Sequence, residues 1–189
     1  MFQSDDLNKA LEVIRSGGII LYPTDTIWGL GCDATNADAV AKLFSLKKRE
    51  AAKSMLVLVD SPARIQSYIL EVPDVAWDLI DLSDKPLTII MDGAKNLASN
   101  LISEDGSIGI RVTRERFSKE LCLRFKRPIV STSANISGEQ APDCFDAIDG
   151  EILNGVDYVV QYRQDDRKRS ESSSIIKLGA GGVIKIIRP

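Results

Sequence analysis

Residues 18–33 read Gly18-Ile19-Ile20-Leu21-Tyr22-Pro23-Thr24-Asp25-Thr26-Ile27-Trp28-Gly29-Leu30-Gly31-Cys32-Asp33. The run from Ile19 to Tyr22 has β-branched and aromatic residues without a polar interruption, which is typical of a strand buried on both faces. Pro23 has no N–H to donate to a β-ladder, so we expect the strand to end there. The stretch therefore predicts a buried strand that leads into a polar loop.

The loop after Pro23 is rich in hydroxyls and glycines. If the backbone stays extended, Thr24 and Thr26 are two residues apart and their hydroxyls point the same way. Gly29 and Gly31 allow the backbone to approach a ligand closely. By itself, this pattern fits an ordinary strand exit and a ligand-binding loop equally well.

Length and composition indicate one globular domain over residues 1–189. Apolar residues make up 44% and charged residues 27% of the chain, close to averages for globular proteins. No apolar segment approaches the roughly 18 residues of a membrane span, and the acidic N-terminus is unlike a secretory signal. We therefore expect a cytoplasmic protein without a membrane partner.

The absence of histidine restricts the chemistry most strongly. It excludes a Ser-His or Cys-His nucleophile pair, a histidine base and a histidine-ligated metal. The three cysteines are widely spaced, unlike a zinc site, so no protein-bound metal is expected. A net charge of −3 gives no overall attraction to nucleic acid, so anion binding must depend on local cations.

Predicted helices and strands alternate along the rest of the chain, which favours one α/β domain with a mixed sheet. The predicted helices are 5–14, 36–46, 61–70, a short one after Pro73, 97–102, 116–125 and 143–153. The predicted strands are 19–22, 55–59, 86–91, 107–112, 128–130, 156–160, 173–178 and 183–187. The last two are predicted to form a closing hairpin through a turn at 179–182, and the polar run 161–170 is predicted to be a solvated loop.

Four cations, Lys47, Lys48, Arg49 and Lys53, follow the predicted helix 36–46. Such a cluster suits the negative end of a helix dipole. It also suits a phosphate clamp, in which arginine supplies a planar fork and lysine a point charge. For an isolated cluster, the first interpretation is favoured about two to one.

Two further polar features need an explanation. The segment Ser131-Thr132-Ser133-Ala134-Asn135 places three hydroxyls and an amide at a strand end, which fits an ordinary turn and a nucleotide site equally well. Arg111 lies inside an apolar strand. An arginine in that position either extends to solvent at a sheet edge or binds an anion.

Seven separate blocks resemble the YrdC/Sua5 family in their order along the chain. They are Tyr22-Pro23-Thr24-Asp25-Thr26, residues 29–34, Lys47-x-Arg49, Pro86-Leu87-Thr88, residues 109–112, residues 131–138 and Ser173-Ser174. The resemblance extends over roughly residues 7–188. It implies a single YrdC-like domain, with a twisted mixed β-sheet flanked by helices around a large concave cavity.

The resemblance also implies an enzyme, a nucleotidyltransferase. In this family L-threonine, bicarbonate and ATP, with Mg²⁺, yield L-threonylcarbamoyladenylate and pyrophosphate, the first step of N6-threonylcarbamoyladenosine (t6A) formation at tRNA position 37. The implied downstream partner is a tRNA threonylcarbamoyl-transferase complex, and direct contact with tRNA is expected to be weak. No histidine is needed, because a carbamate is already an anionic nucleophile that chiefly requires alignment and charge neutralisation.

The family's residue roles are carried over position by position. Lys47 and Arg49 are the implied catalytic residues. The implied ATP-binding residues are Lys47, Arg49, Lys53, Ser131, Ser133, Asn135 and Arg188. The implied threonine- and bicarbonate-binding residues are Tyr22, Thr24, Thr26, Arg111 and Ser173.

The chain departs from the family pattern at some of these blocks. Glu50 replaces a proline that often follows Lys-x-Arg and weakens the local positive field, and Ser174 replaces a usual threonine. Two alternatives remain: an RNA-binding module with the same fold, and a divergent paralogue without threonine activation. The acidic net charge disfavours the first, and the intact block 131–135 disfavours the second.

Overall fold

The computed structural model of the protein describes residues 4–49, 55–167, 172–179 and 183–189. Its strands are β1 Ile20–Tyr22, β2 Gly29–Gly31, β3 Leu56–Val59, β4 Leu87–Met91, β5 Ile108–Val112, β6 Ile129–Ser133, β7 Tyr158–Val159, β8 Ser174–Leu178 and β9 Ile184–Arg188. Its helices are α1 Ser4–Arg15, α2 Ala37–Leu46, α3 Asp74–Leu82, α4 Arg116–Phe125 and α5 Gly150–Gly155, with 3₁₀ turns at Pro62–Ser67 and Phe145–Ala147.

The described strands form a nine-stranded sheet in the order β7-β1-β2-β6-β3-β5-β4-β8-β9. Strand β1 runs parallel to β7 and antiparallel to β2, while β3 runs parallel to β5 and antiparallel to β6. The sheet is therefore mixed, and the predicted α/β class is confirmed. Tyr22 is the last residue of β1, so the strand ends before Pro23 as expected.

Local sequence signals explain several helix boundaries. Asn36 Oδ1 accepts hydrogen bonds from Asp38 N at 3.0 Å and Ala39 N at 3.1 Å, which caps α2 as predicted. In α1, Leu7, Leu11 and Ile14 lie on one buried face, as their helical spacing predicts.

The two faces of the sheet are covered differently. Side chains alternate along a strand, and on one face Leu58 and Ile129 pack with buried residues of α1 and α4. On the other face Val57 and Val130 pack with residues of α2, α3 and α5. Arg111 is paired with Leu58 in the sheet register and therefore shares the first face. That face is covered by α1 and α4 over only part of its area.

Three helix predictions are wrong in detail. Residues 97–102 form turns, because Asn96 has a φ of +56° and the Ala98 N–H donates to Ala34 O at 2.9 Å instead of to a helical carbonyl. The helix predicted to reach residue 70 is a 3₁₀ turn that ends at Ser67. The predicted helix 143–153 is a 3₁₀ turn followed by α5.

No helix in the described ranges is long and apolar enough to cross a membrane. The segment 161–167, predicted as a polar loop, forms turns. Strands β8 and β9 pair antiparallel, as the predicted closing hairpin requires, and residues 180–182 of its turn lie outside the described part of the chain.

Gly31 allows β1, β2 and β6 to pack closely. A Cβ at this position would lie 2.6 Å from Tyr22 Cε1 and 2.9 Å from Val130 O. One of these neighbours is a fully buried ring and the other is backbone, so neither can move aside cheaply. Close packing at Gly31 thus requires the absence of a side chain.

We expect Gly31→Ala to lower the free energy of unfolding by about 1–3 kcal/mol, the usual cost of overpacking a core. The matched control is Gly150→Ala, because a Cβ at Gly150 meets nothing within 4 Å. The control is expected to be neutral or more stable by up to about 1 kcal/mol, since alanine favours a helix. Urea unfolding of both variants tests the packing, and equal effects would contradict it.

Candidate functional site

The part of the first sheet face that α1 and α4 leave open forms the floor of a cavity of about 330 Å³. Leu56, Gly109 and Ser131 occupy the floor at neighbouring positions of β3, β5 and β6. The lining residues are Thr24, Thr26, Ile27, Trp28, Gly29, Arg49, Met55, Leu56, Thr88, Ile90, Gly109, Arg111, Ser131, Thr132, Ser133, Asn135, Glu139, Ala141, Ser172, Ser173, Ile175 and Arg188.

One wall is a chain of hydrogen bonds between the loop after β1 and strand β5. Arg111 Nη1 donates to Thr26 Oγ1 at 3.2 Å, and the hydroxyls of Thr26 and Thr24 are 3.1 Å apart. Thr24 Oγ1 donates its only proton to Ile27 O at 2.8 Å, so Thr26 must be the donor between the threonines. The two hydroxyls therefore meet beside Arg111. They do so because the backbone bends at residues 25–27 and the Thr26 N–H donates to Thr24 Oγ1 at 3.1 Å, not because the chain stays extended.

The Arg111 guanidinium is the most unusual charge in the cavity. The residue is 4% exposed, no described carboxylate forms an ion pair with it, and its Nε atom has no hydrogen-bond partner. Burial lowers its pKa, Asp25 and Tyr22 oppose that shift, and the positive charge of Arg188 adds to it. A buried cation without an ion pair to a described carboxylate is costly, so the wall is suited to an anionic ligand.

Asp25 lies between the two threonines in sequence but does not face the cavity. Its Oδ1 accepts from the N–H groups of Arg114 at 2.6 Å and Glu115 at 2.7 Å, and its Oδ2 accepts from Thr113 Oγ1 at 2.6 Å. Asp25 therefore ties the threonine loop to the segment that follows β5. This contact explains how Thr26 is held beside Arg111.

A second part of the lining comes from the hydroxyl-rich segment. Strand β6 extends to Ser133, so the hydroxyls predicted to follow a strand belong to its last residues. Ser131 and Ser133 line the cavity, as does Asn135. Asn135 Nδ2 donates to Ile136 O at 2.9 Å and to Glu139 O at 2.8 Å, and these bonds fix the orientation of the amide.

Lys47 lies behind this part of the lining. Its side chain is fully buried, and Nζ donates to the main-chain oxygens of Ser133 at 2.5 Å and Asn135 at 2.6 Å. Burial, together with the charge of Arg49, lowers the pKa of Lys47 to about 8. The structure therefore places the ammonium on backbone carbonyls, whereas the family resemblance implies that it contacts phosphate.

The third side of the cavity comes from β4, β8 and β9. Thr88 Oγ1, in β4, and Ser173 Oγ, in the residue just before β8, are 2.9 Å apart. Arg188 Nε donates to Ser173 O at 2.8 Å. These contacts hold the Arg188 guanidinium at the rim of the cavity, and partial burial lowers its pKa.

The charges of the lining are strongly asymmetric. Among the described lining residues, the cations are Arg49, Arg111 and Arg188, and Glu139 is the only carboxylate. Burial lowers the pKa of Arg49 as well. The arrangement suits a ligand that carries more than one anionic group.

Nine of the sequence-predicted site residues converge on the cavity. They are Thr24, Thr26, Arg49, Arg111, Ser131, Ser133, Asn135, Ser173 and Arg188. Tyr22 does not line it: the ring is fully buried with α1 and α4, and burial raises the pKa of its hydroxyl. Lys53, predicted to contact ATP, lies outside the described residues.

Thr88 and Glu139 line the cavity but are not among the site residues predicted from the sequence. The family block at 86–88 was a signal for Thr88, but its bond to Ser173 depends on strand pairing. For Glu139, no residue pattern distinguished it from a surface carboxylate. Both residues line the cavity only because the folded chain brings their segments together there.

The described residues contain no group of three or more histidine, cysteine or acidic side chains that could hold a metal ion. Cys32 and Cys122 are buried, and burial raises the pKa of both thiols. The cavity thus supplies arginines, hydroxyls and amides. These groups bind, orient and neutralise anions.

Comparison with known proteins agrees with this architecture. A relative in Methanocaldococcus jannaschii named "Putative threonylcarbamoyl-AMP synthase" is 35% identical over 187 residues, which cover 96% of this chain and 86% of the relative. The "Threonylcarbamoyl-AMP synthase" of Pseudoalteromonas translucida is 34% identical over 142 residues, covering 74% of this chain and 76% of the relative.

Solved structures show the same fold. P. abyssi Sua5, in its H234A/Y235A form, superposes with a TM-score of 0.86 at 23% identity, covering 97% of this chain and 56% of that protein. Its complex with L-threonine gives a TM-score of 0.80 at 23% identity, with coverage of 91% and 50%. This chain therefore spans about half the length of P. abyssi Sua5.

The family comparison covers nearly the whole chain. Residues 12–189 match the Sua5/YciO/YrdC family, which carries the description "Telomere recombination". The resemblance seen in the seven sequence blocks is thereby confirmed. The chain belongs to the Sua5/YciO/YrdC family.

Proposed function

We propose that the protein is an L-threonylcarbamoyladenylate synthase, which joins L-threonine, bicarbonate and ATP and releases pyrophosphate for t6A modification of tRNA at position 37. The observation that carries this proposal is the Arg111 guanidinium, buried at the cavity wall beside two oriented threonine hydroxyls and without an ion pair to a described carboxylate. Relatives named for this activity support it.

In this proposal Arg111 binds the α-carboxylate of L-threonine. A guanidinium offers a planar pair of donors that matches a carboxylate, and the ligand supplies the ion-pair partner that no described carboxylate provides to Arg111. Thr24, Thr26 and Ser173 supply hydroxyls for the amino-acid and carbamate groups. Tyr22, fully buried, supports this side from behind. The L-threonine complex of P. abyssi Sua5, which shares the fold, supports an amino-acid site in this architecture.

ATP occupies the side formed by Arg49, Arg188 and the end of β6 in this proposal. The guanidinium groups neutralise phosphate charge, and Ser131, Ser133 and Asn135 contact the nucleotide. Mg²⁺ would be held by the phosphates of ATP, as is usual for this ion, and would supply further neutralisation of phosphate charge beside Arg49 and Arg188. Lys53 remains a predicted phosphate contact.

The reaction then needs alignment more than acid–base chemistry. The amine of L-threonine attacks the carbon of bicarbonate, a C–N bond forms while a C–O bond breaks, and water leaves to give a carbamate. The carbamate oxygen then attacks the α-phosphorus of ATP. A new P–O bond forms while the bond between the α-phosphorus and the bridging oxygen breaks, and pyrophosphate leaves. Arg111 fixes one end of the nucleophile and Arg49 neutralises phosphate charge, so the side chains supply proximity and electrostatic stabilisation.

The location and later partners remain predictions. We expect the product to pass to a tRNA threonylcarbamoyl-transferase complex, with at most weak direct contact between this protein and tRNA. A cytoplasmic location is expected because the product serves tRNA.

We expect the protein to release pyrophosphate from ATP only when L-threonine and bicarbonate are both present. A coupled pyrophosphate assay with each substrate omitted in turn measures this dependence. An RNA-binding module or a paralogue without threonine activation would show no such release. Release that is independent of threonine would contradict the proposal.

We expect Arg111→Met to reduce turnover by about 30- to 1000-fold, corresponding to loss of roughly 2–4 kcal/mol of charge stabilisation. Its free energy of unfolding is expected to stay unchanged or rise by up to about 2 kcal/mol, because the variant removes a buried cation that lacks a described ion pair. The assays are pyrophosphate release at saturating ATP and urea unfolding.

Arg124→Met is the matched control for Arg111→Met. Arg124 is an exposed arginine of α4 that pairs with Glu120 at 2.6 Å and does not line the cavity. We expect it to keep wild-type turnover, whereas Arg49→Ala should lose turnover as Arg111→Met does. Wild-type turnover in the Arg49 and Arg111 variants would refute the site assignment.

A further inference from the structure

Lys47 is held by the loop that carries the proposed nucleotide contacts. Its Nζ donates to Ser133 O and Asn135 O at 2.5 and 2.6 Å, and its own main-chain oxygen accepts from Ser137 N at 2.8 Å. Three hydrogen bonds therefore connect this one residue to the segment 133–137. Ser133 and Asn135 line the cavity, and Lys47 does not.

The charge around Lys47 is unbalanced. No described carboxylate forms an ion pair with its fully buried ammonium, and segment 131–138 contains no ionisable side chain. Burial lowers the pKa of Lys47, and the nearby charge of Arg49, which is also positive, lowers it further. The neighbouring Lys48 is exposed and forms an ion pair with Glu151 at 2.7 Å. That contact raises the pKa of Lys48, and the charge of the exposed Glu139 raises it further.

We propose that Lys47 is a positioning residue: its ammonium fixes the backbone that presents Ser133 and Asn135 to the nucleotide, and the bound nucleotide supplies, through space, a counter-charge that no described carboxylate gives it by an ion pair. This inference rests on the proposed function only in taking ATP as the ligand. It differs from a direct phosphate contact, which would require Nζ to leave the two carbonyls.

Two physical consequences follow. A buried cation costs less once an anion binds beside it, so nucleotide binding must raise the pKa of Lys47 from about 8. The complex then holds more protons than the free protein around pH 8, and affinity for ATP falls as pH rises above that value. A positioning role also predicts that loss of Lys47 weakens binding of the nucleoside, which carries no phosphate.

The first test uses the wild-type protein and Mg²⁺-ATP without threonine. Calorimetric titrations in two buffers of different ionisation enthalpy, at pH 8.0–8.5 and at pH 6.5, measure the protons taken up on binding. We expect uptake of roughly half a proton or more at the higher pH that is lost in Lys47→Met. At pH 6.5 Lys47 is already protonated, so the variant and wild type should take up equal amounts. Wild-type uptake that persists in Lys47→Met, or none at pH 8.0–8.5, would overturn the proposal.

The second test compares ATP with adenosine. We expect Lys47→Met to weaken binding of both by about tenfold or more, with KM for ATP rising more than kcat falls, and Lys47→Arg to recover part of the loss. Lys48→Met, its exposed neighbour, is the matched control and should bind both ligands normally.

The outcomes separate the two roles of Lys47. If Lys47→Met loses affinity for ATP but binds adenosine as the wild type does, Lys47 is a phosphate ligand and the positioning role is wrong. Failure of the proposed function would appear differently, as an absence of threonine-dependent pyrophosphate release in a protein that still binds ATP.

Discussion

Two buried cations without described carboxylate partners determine how this molecule is built around its cavity. Arg111 donates to the hydroxyl of Thr26, and Lys47 donates to the main chain of Ser133 and Asn135. Neutral oxygens satisfy hydrogen bonds but do not balance charge, so both sites retain a cost that an anionic ligand can relieve. The two buried charges therefore lower the stability of the free protein and raise its affinity for an anionic ligand. Such an exchange of stability for binding is common at functional sites.

The sheet makes this arrangement possible. Helices α1 and α4 cover only part of one face, around Leu58 and Ile129, and the same face continues into the cavity floor. Arg111 lies beside Leu58 in the register and is thus close to both the core and the cavity. Asp25 then binds the segment after β5, which keeps the threonine loop next to the guanidinium. Core packing and the candidate site therefore share the same strands.

Many features of the fold and of the candidate site were predictable from sequence, because residue type and spacing within one segment determine them. Thr24 and Thr26 follow the end of a buried strand, Arg111 interrupts an apolar strand, and hydroxyls end β6. Tyr22 and Lys47 were placed less well because a motif does not specify what covers a side chain. Tyr22 is covered by α1 and α4, and Lys47 turns toward backbone carbonyls. Residues 97–102 form turns because a tertiary hydrogen bond to Ala34 replaces a helical one.

The central claim is that substrate anions supply the ion-pair partners that no described carboxylate provides to Arg111 and Lys47. A crystal structure with L-threonine and a non-hydrolysable ATP analogue tests it most directly. The account predicts the threonine carboxylate on the Arg111 guanidinium, the triphosphate beside Arg49, and Lys47 Nζ still on the oxygens of Ser133 and Asn135. An amino-acid carboxylate bound away from Arg111, or a Lys47 side chain that leaves those oxygens for a phosphate, would contradict it.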